Sequence, residues 1–176
     1  MEHTCSVRQA ALEDAEVLAR LHLECWRETY THLLSPGFMA RQGVEERLAM
    51  WRRLLAGPHA GRQFVADDAG KLVGFAGSLP PAEGLREQTE LWGIYLLASH
   101  HHRGLGQALL EAAIGNEAAA LWVAEDNPRA QAFYQRNGFA FTGARDTIED
   151  WEGLAEVRMA RPAGLARPAG LARPAG

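Results

Sequence analysis

Leu91–Leu110, LWGIYLLASHHHRGLGQALL, decides how the rest of the chain is read. Leu91 to Ala98 is an apolar run and reads as a buried strand. A polar loop follows, and Arg103-Gly104-Leu105-Gly106 then opens a run of helix formers from Gln107 to Ala113. Strand, glycine turn and helix start together make an anion site. The first helical N–H groups have no intrahelical partner, and the macrodipole adds partial positive charge there. Gly104 and Gly106 carry no Cβ, so a phosphate can approach the backbone closely. The same turn also serves elsewhere as a plain left-handed loop closure. A second segment, Asn127–Phe139, adds what the turn lacks.

Outward from this stretch the chain alternates strand and helix patterns. Ser6–Ala10 reads as a first strand. Leu12–Cys25 reads as an amphipathic helix with Val17, Leu18, Leu21 and Cys25 on one face; Trp26–Tyr30 continues or ends it, and Ser35-Pro36-Gly37 breaks it. Val44, Leu48, Trp51 and Leu55 are spaced for a second helix, closed by Gly57-Pro58. Gln63–Ala66 and Lys71–Leu79 flank Asp67-Asp68-Ala69-Gly70 and read as a hairpin. After the polar loop Pro80–Glu87, Glu90–Leu97 is the central strand and Gly104–Ile114 the helix behind it. Gly115-Asn116 supplies a helix stop. Ala118–Ala124 is the next strand, Pro128–Arg136 a helix with proline at its first position, and Ala140–Ala144 and Leu154–Met159 close the sheet. This order predicts an α+β domain with a mixed sheet over residues 1–160. Residues 161–176 differ: with Ala160 they spell the repeat ARPAGL, ARPAGL, ARPAG, too poor in apolar surface to fold alone.

The 176 residues are long enough for one well-buried core, and 47% hydrophobic with 23% charged residues is ordinary for a globular domain. The formal charge is −4, and the tail's Arg161, Arg167 and Arg173 mean that the body is more acidic still. An acidic body argues against nucleic acid as partner and favours cationic small molecules. Cys5 and Cys25 are too few for a disulfide framework and have no CxxC spacing, which suits a reducing compartment. The opening MEHTCSVRQ lacks the basic-then-apolar pattern of a signal peptide, and no apolar run approaches a membrane span. The expectation is a cytoplasmic protein with no membrane partner. Oligomeric state is left open, a homodimer included.

His100-His101-His102 reads as a solvated loop, since adjacent residues do not easily converge on one ion; no metal is expected. A dinucleotide fingerprint fails, because the third glycine of G-x-G-x-x-G is Leu109 here and the motif lies mid-chain.

The two segments together resemble the GNAT acetyltransferases, which move an acetyl group from acetyl-coenzyme A to an amine. The family's (Arg or Gln)-x-x-Gly-x-(Gly or Ala) loop stands here as His101-His102-Arg103-Gly104-Leu105-Gly106. Its second signature stands as Asn127, Ala130, Phe133, Tyr134, Gly138 and Phe139. The resemblance is strongest over residues 90–139 and loosely covers 5–160. It implies a mostly antiparallel, twisted GNAT sheet flanked by helices, acetyl-CoA as cosubstrate, and a small-molecule or peptide amine as acceptor. His101 departs from the family's arginine or glutamine, which should weaken phosphate binding rather than abolish it.

By the resemblance, the backbone of Ile94, Tyr95 and Leu96 pairs with the pantetheine arm, which requires this strand to splay from Ala118–Ala124, commonly through a bulge. His101, His102, Arg103, Gly104, Leu105, Gly106 and Gln107 hold the diphosphate. Asn127 holds the arm, caps the helix ahead of Pro128, or does both; Phe133 and Phe139 read as core. Glu90 is either the general base, which an amine protonated at neutral pH requires, or a strand-end surface charge. Tyr134 either protonates the departing sulfur or only packs against the cofactor. Trp26, Tyr30, Trp92 and the Glu83–Glu87 loop are the acceptor-pocket candidates, where aromatics and carboxylates suit a cationic amine. Strand alternation puts Glu90, Trp92 and Ile94 on one face unless a bulge resets it. The same fold without proton carriers would serve as a non-catalytic acyl-CoA sensor.

Overall fold

A computed structural model describes residues 5–83 and 88–164. Among these residues the strands are β1 (Cys5–Gln9), β2 (Gln63–Asp68), β3 (Lys71–Leu79), β4 (Thr89–Leu96), β5 (Ala119–Ala124), β6 (Ala140–Ile148) and β7 (Leu154–Arg161). The helices are α1 (Ala15–Tyr30), α2 (Pro36–Ala40), α3 (Val44–Leu55), α4 (Leu105–Ile114) and α5 (Pro128–Arg136). The strands form one sheet in the order β1-β2-β3-β4-β5-β7-β6, antiparallel except for the β4–β5 pair. The α+β, mostly antiparallel architecture matches the expectation. No helix among the described residues is long and apolar enough to cross a membrane.

Three local features differ from the sequence reading. The Ser35-Pro36-Gly37 break is the start of α2. Ser35 Oγ accepts from the Phe38 N–H at 3.1 Å and Pro36 sits in the first turn, so residues expected to stop a helix begin one. Strand β6 runs four residues past Ala144 because a bulge between Phe141 and Arg145 absorbs Gly143 and keeps the pairing with β7. Strand β7 continues to Arg161, so the folded body extends past residue 160; residues 165–176 of the repeat lie outside the described residues.

The core lies on both faces of the sheet. Phe75 of β3 faces α1 and α3, with the His22 ring at 4.8 Å and Trp51 edge-on at 5.1 Å. Ser78, three residues on and so on the other face, donates from Oγ to the Ala113 carbonyl of α4 at 2.7 Å. Trp51, Phe75, Leu109 and Leu121 are at most 1% exposed, and each such side chain contributes about 1.5–3 kcal/mol by leaving water.

Arg161 is 4% exposed and ties three elements together. Its guanidinium donates to the carbonyls of Gly115 and Asn137, which end α4 and α5, and lies 5.3 Å over the Phe139 ring. A cation at two helix C-termini satisfies orphan carbonyls and the macrodipole together. Arg161→Ala is expected to lower unfolding free energy by about 2–4 kcal/mol, since one buried and one part-buried carbonyl lose their donor. Ending the chain at Gly164 should leave the denaturation midpoint unchanged. Urea titration of both variants checks this.

Candidate active site

Strands β4 and β5 pair only through Thr89–Ala119 and Glu90–Ala120 and then diverge. Between them opens a cleft of about 360 Å³, walled by Leu91–Leu96 on one side and Trp122–Ala124 on the other. A bulge sets the β4 side. Gly77 pairs with Gly93 and Ser78 with Leu91, so Trp92 is the extra residue. Gly77 allows this: a Cβ there would stand 2.3 Å from Trp92 Nε1 and 2.0 Å from Gln63 Oε1. The bulge resets the alternation, so Ile94 leaves the face of Glu90 and Tyr95 joins it, against His22 at 5.5 Å and opposite Phe75. The β5-facing edge of Ile94, Tyr95 and Leu96 therefore has no strand partner among the described residues and lines the cleft.

At the cleft's mouth stands the start of α4. His102 and Gly104 both have positive φ, 63° and 80°, and turn the chain into the helix. The first intrahelical bond is Ala108 N–H to Gly104 O at 3.0 Å, so the N–H groups of Leu105, Gly106 and Gln107 precede the ladder. His102, Gly104, Gly106 and Gln107 line the cleft. His101 lines it too, and its tautomer is set by its neighbours: Nε2 donates to the Leu96 carbonyl at 2.9 Å, and Nδ1 accepts from Arg129 at 3.0 Å. Two of the loop residues contribute differently than the motif suggests. The Arg103 side chain is outside the lining and reaches Asp68 at 3.8 Å. The Leu105 side chain is 4% exposed in the core, leaving only its backbone to the cleft's mouth.

Helix α5 supplies the far wall. Asn127 caps it, Oδ1 accepting from Ala130 N–H at 3.2 Å, while the residue itself lines the cleft. Tyr134 is 7% exposed, lines the cleft, and its hydroxyl has no hydrogen-bond partner among the described residues. Burial pushes this phenol well above the usual tyrosine range, so it stays protonated. Phe133 packs partly buried beside the core cluster and also lines the cleft; Phe139 is core. Arg129 and Arg136 of α5 and Trp122 of β5 also line the cleft, and the sequence reading did not single them out. For Arg129 the signal was its place inside the Asn127–Ala130 signature.

On the α1 side, Tyr30 lines the cleft and its hydroxyl lies 3.2 Å from that of Tyr95. Trp92 lines it as well, held by its indole N–H donating to Gln63 Oε1 at 3.0 Å. Trp26 does not. It is 1% exposed, packed with Phe38, Leu34 and Leu154, because α2 folds back over that end of α1. Glu90 is also absent from the lining: both its oxygens accept from Arg158, each at 2.7 Å, across β5. The carboxylate that the sequence left as either base or surface charge is thus held by a guanidinium fork. Glu83 is exposed, and residues 84–87 of the acceptor loop lie outside the described residues. His100 turns to Asp68 at 3.1 Å, away from His101, and among the described residues no group of three or more His, Cys, Asp or Glu could hold a metal.

Comparison with known proteins agrees with this geometry. The profile of the acetyltransferase (GNAT) family matches residues 17–139. An uncharacterised N-acetyltransferase of Bacillus subtilis, YuaI, is 33% identical over 88% of this chain and 88% of its own. A probable N-acetyltransferase of Mycobacterium tuberculosis, Rv2775, is 26% identical over 87% of this chain and 88% of its own. The crystal structure of the PaiA N-acetyltransferase of Thermoplasma acidophilum with coenzyme A shares the fold, with a TM-score of 0.68 and 22% identity over 90% of this chain and 99% of that one. With the family profile spanning both signatures and the splayed strands between them, the chain belongs to the GNAT acetyltransferase family.

Proposed function

We propose that the protein is an acetyl-CoA-dependent N-acetyltransferase, transferring the acetyl group to a primary amine of a small molecule or peptide by direct attack within a ternary complex. The observation that carries this is the cleft. Among the described residues, an unpaired strand edge runs along it, helical N–H groups without a helical partner stand at its mouth, and an unpartnered buried hydroxyl faces it. An amide-bearing arm fits the first, a diphosphate the second and a thiolate the third. The free N–H groups of Leu105, Gly106 and Gln107 hold the anionic end, assisted by Arg129. The edge of Ile94–Leu96 fixes the arm, and Tyr134 supplies a proton to the leaving sulfur.

A non-catalytic binding module needs the mouth but not a buried, protonated phenol within the cleft, which favours the enzyme. Release of free thiol from acetyl-CoA, followed over an amine panel, tests the reading. Amine-dependent release with stoichiometric amide product supports it. Acetyl-CoA binding without any amine-dependent release would assign the fold to sensing.

A further inference from the structure

Two carboxylates stand beside the cleft on the face of the sheet that α1 covers, and their circumstances are opposite. Glu90 is forked by Arg158, whose guanidinium also lies 5.3 Å over the Trp122 ring. Glu156 precedes Arg158 by two residues in β7 and so points to the same face. Across the sheet it pairs with Ala124 of β5, a wall of the cleft, and with Asp146 of β6. Ala124 packs with Tyr30 and Trp26, which fixes the face as that of α1. Glu156 is half-buried and, like Glu90, is not itself part of the cleft's lining, yet among the described residues nothing donates a hydrogen bond to its carboxylate. It stands one strand spacing, about 4.8 Å, from the cleft wall.

We infer that Glu156, rather than Glu90, meets the ammonium of the acceptor and takes its proton, with Tyr30 and Ala124 forming the passage to the reacting atoms. This rests on the N-acetyltransferase reading and specifies its acceptor as an amine that arrives as a cation. Tyr30 links Glu156 to the place where sulfur leaves. Tyr30 packs with Ala124, the β5 partner of Glu156, and lines the same cleft as Tyr134. The groups facing Glu156 are Asp146 from β6, Tyr30 from α1 and, along β7, Arg158 with Glu90 beyond it; Ala124 of β5 contributes no charge. Burial and Asp146 together push the Glu156 carboxyl above its usual range, which makes it a better base than a free glutamate. Asp146 adds a second negative charge on the route by which a cation arrives.

One ammonium proton moves to a Glu156 carboxylate oxygen, leaving the nitrogen lone pair free. That lone pair forms a bond to the thioester carbonyl carbon, and the carbon–sulfur bond breaks as the carbonyl re-forms. The thiolate takes the Tyr134 hydroxyl proton, and the phenolate recovers the second proton that the attacking nitrogen, positively charged after bond formation, sheds on becoming the neutral amide. Glu156 returns its proton to solvent.

The test compares two probe amines under saturating acetyl-CoA: butylamine, protonated at neutral pH, and trifluoroethylamine, largely neutral there. Glu156→Gln should lose about 10²–10⁴-fold in kcat/KM for butylamine, keep its rate with trifluoroethylamine, and recover toward wild type as pH rises. Its calorimetric affinity for coenzyme A should not change. Glu90→Gln should leave the ratio between the two amines as in the wild type. Equal loss with both amines in Glu156→Gln would reduce Glu156 to a structural residue, and a selective butylamine loss in Glu90→Gln would return the proton to Glu90. If the wild type acetylates neither these two nor any other amine of the panel, the N-acetyltransferase reading falls, and this inference with it.

Discussion

Gly106→Asp is expected to weaken acetyl-CoA binding by about 10²-fold or more while leaving the fold intact. A Cβ at Gly106 would meet nothing closer than Phe133 at 3.6 Å, ordinary contact, so the first side-chain atom is accommodated without a clash. What it brings is a carboxylate beside the three N–H groups that precede the helical ladder and that the proposed function gives to a diphosphate. Like charges set against each other at an interface cost several kcal/mol, and each 1.4 kcal/mol is about tenfold in affinity. Gly104→Asp is the less clean variant, because φ there is 80° and a side chain would be strained whatever it met. Titration calorimetry with acetyl-CoA reads the affinity and a thermal melt without ligand reads the fold. Unchanged affinity in Gly106→Asp would remove the helix start from the binding site. In the wild type, acetyl-CoA should raise the melting temperature by mass action, and the variant should lose most of that rise.

Tyr134→Phe is the second large effect. A thiol near ~8.5 is already a tolerable leaving group, and burial makes the Tyr134 phenol a weaker acid than an ordinary tyrosine near ~10, which limits what the proton can contribute. The expected loss in kcat is about 10²–10⁴-fold, the span of general acid catalysis. Stability should hold or rise slightly, because the hydroxyl removed is buried and unpartnered among the described residues. The raised phenol sets the sign of its pH effect: protonation is favoured in the folded state, so its contribution is complete below ~10 and fades only as pH rises beyond that. No limb of the neutral pH–rate profile should therefore belong to Tyr134. A melt that falls while kcat holds would leave the ring as packing only. Steady-state rates at saturating acetyl-CoA, with the melt alongside, separate the two outcomes.

Read in order, the chain already determined most of its elements and the mouth of its cleft. The strand from Glu90, the glycine turn and the helix from Leu105 are local structures, specified by apolar runs, positive-φ glycine and helix formers within one window. Asn127 as cap with Pro128 behind it is equally local, and part of each signature lines the cleft: His101, His102, Gly104 and Gly106 from the first, Asn127, Ala130, Phe133 and Tyr134 from the second. What tertiary structure alone decided is the side-chain chemistry on the α1 face. The fork between Arg158 and Glu90 spans 68 residues and removes a carboxylate that looked free in sequence. The bulge at Trp92 reverses which of its neighbours share that face, a consequence of Gly77 across the strand rather than of Trp92 itself. Trp26 carries the composition of a binding residue but is sealed by α2, whose start looked like a helix stop. Glu156 and Ala124 become neighbours through the β5–β7 register, which no local pattern encodes. Backbone propensity and capping act within a few residues and can be read along the chain. Which charge is paired and which faces the cleft depends on strand order and register, and those are settled only when distant strands pack.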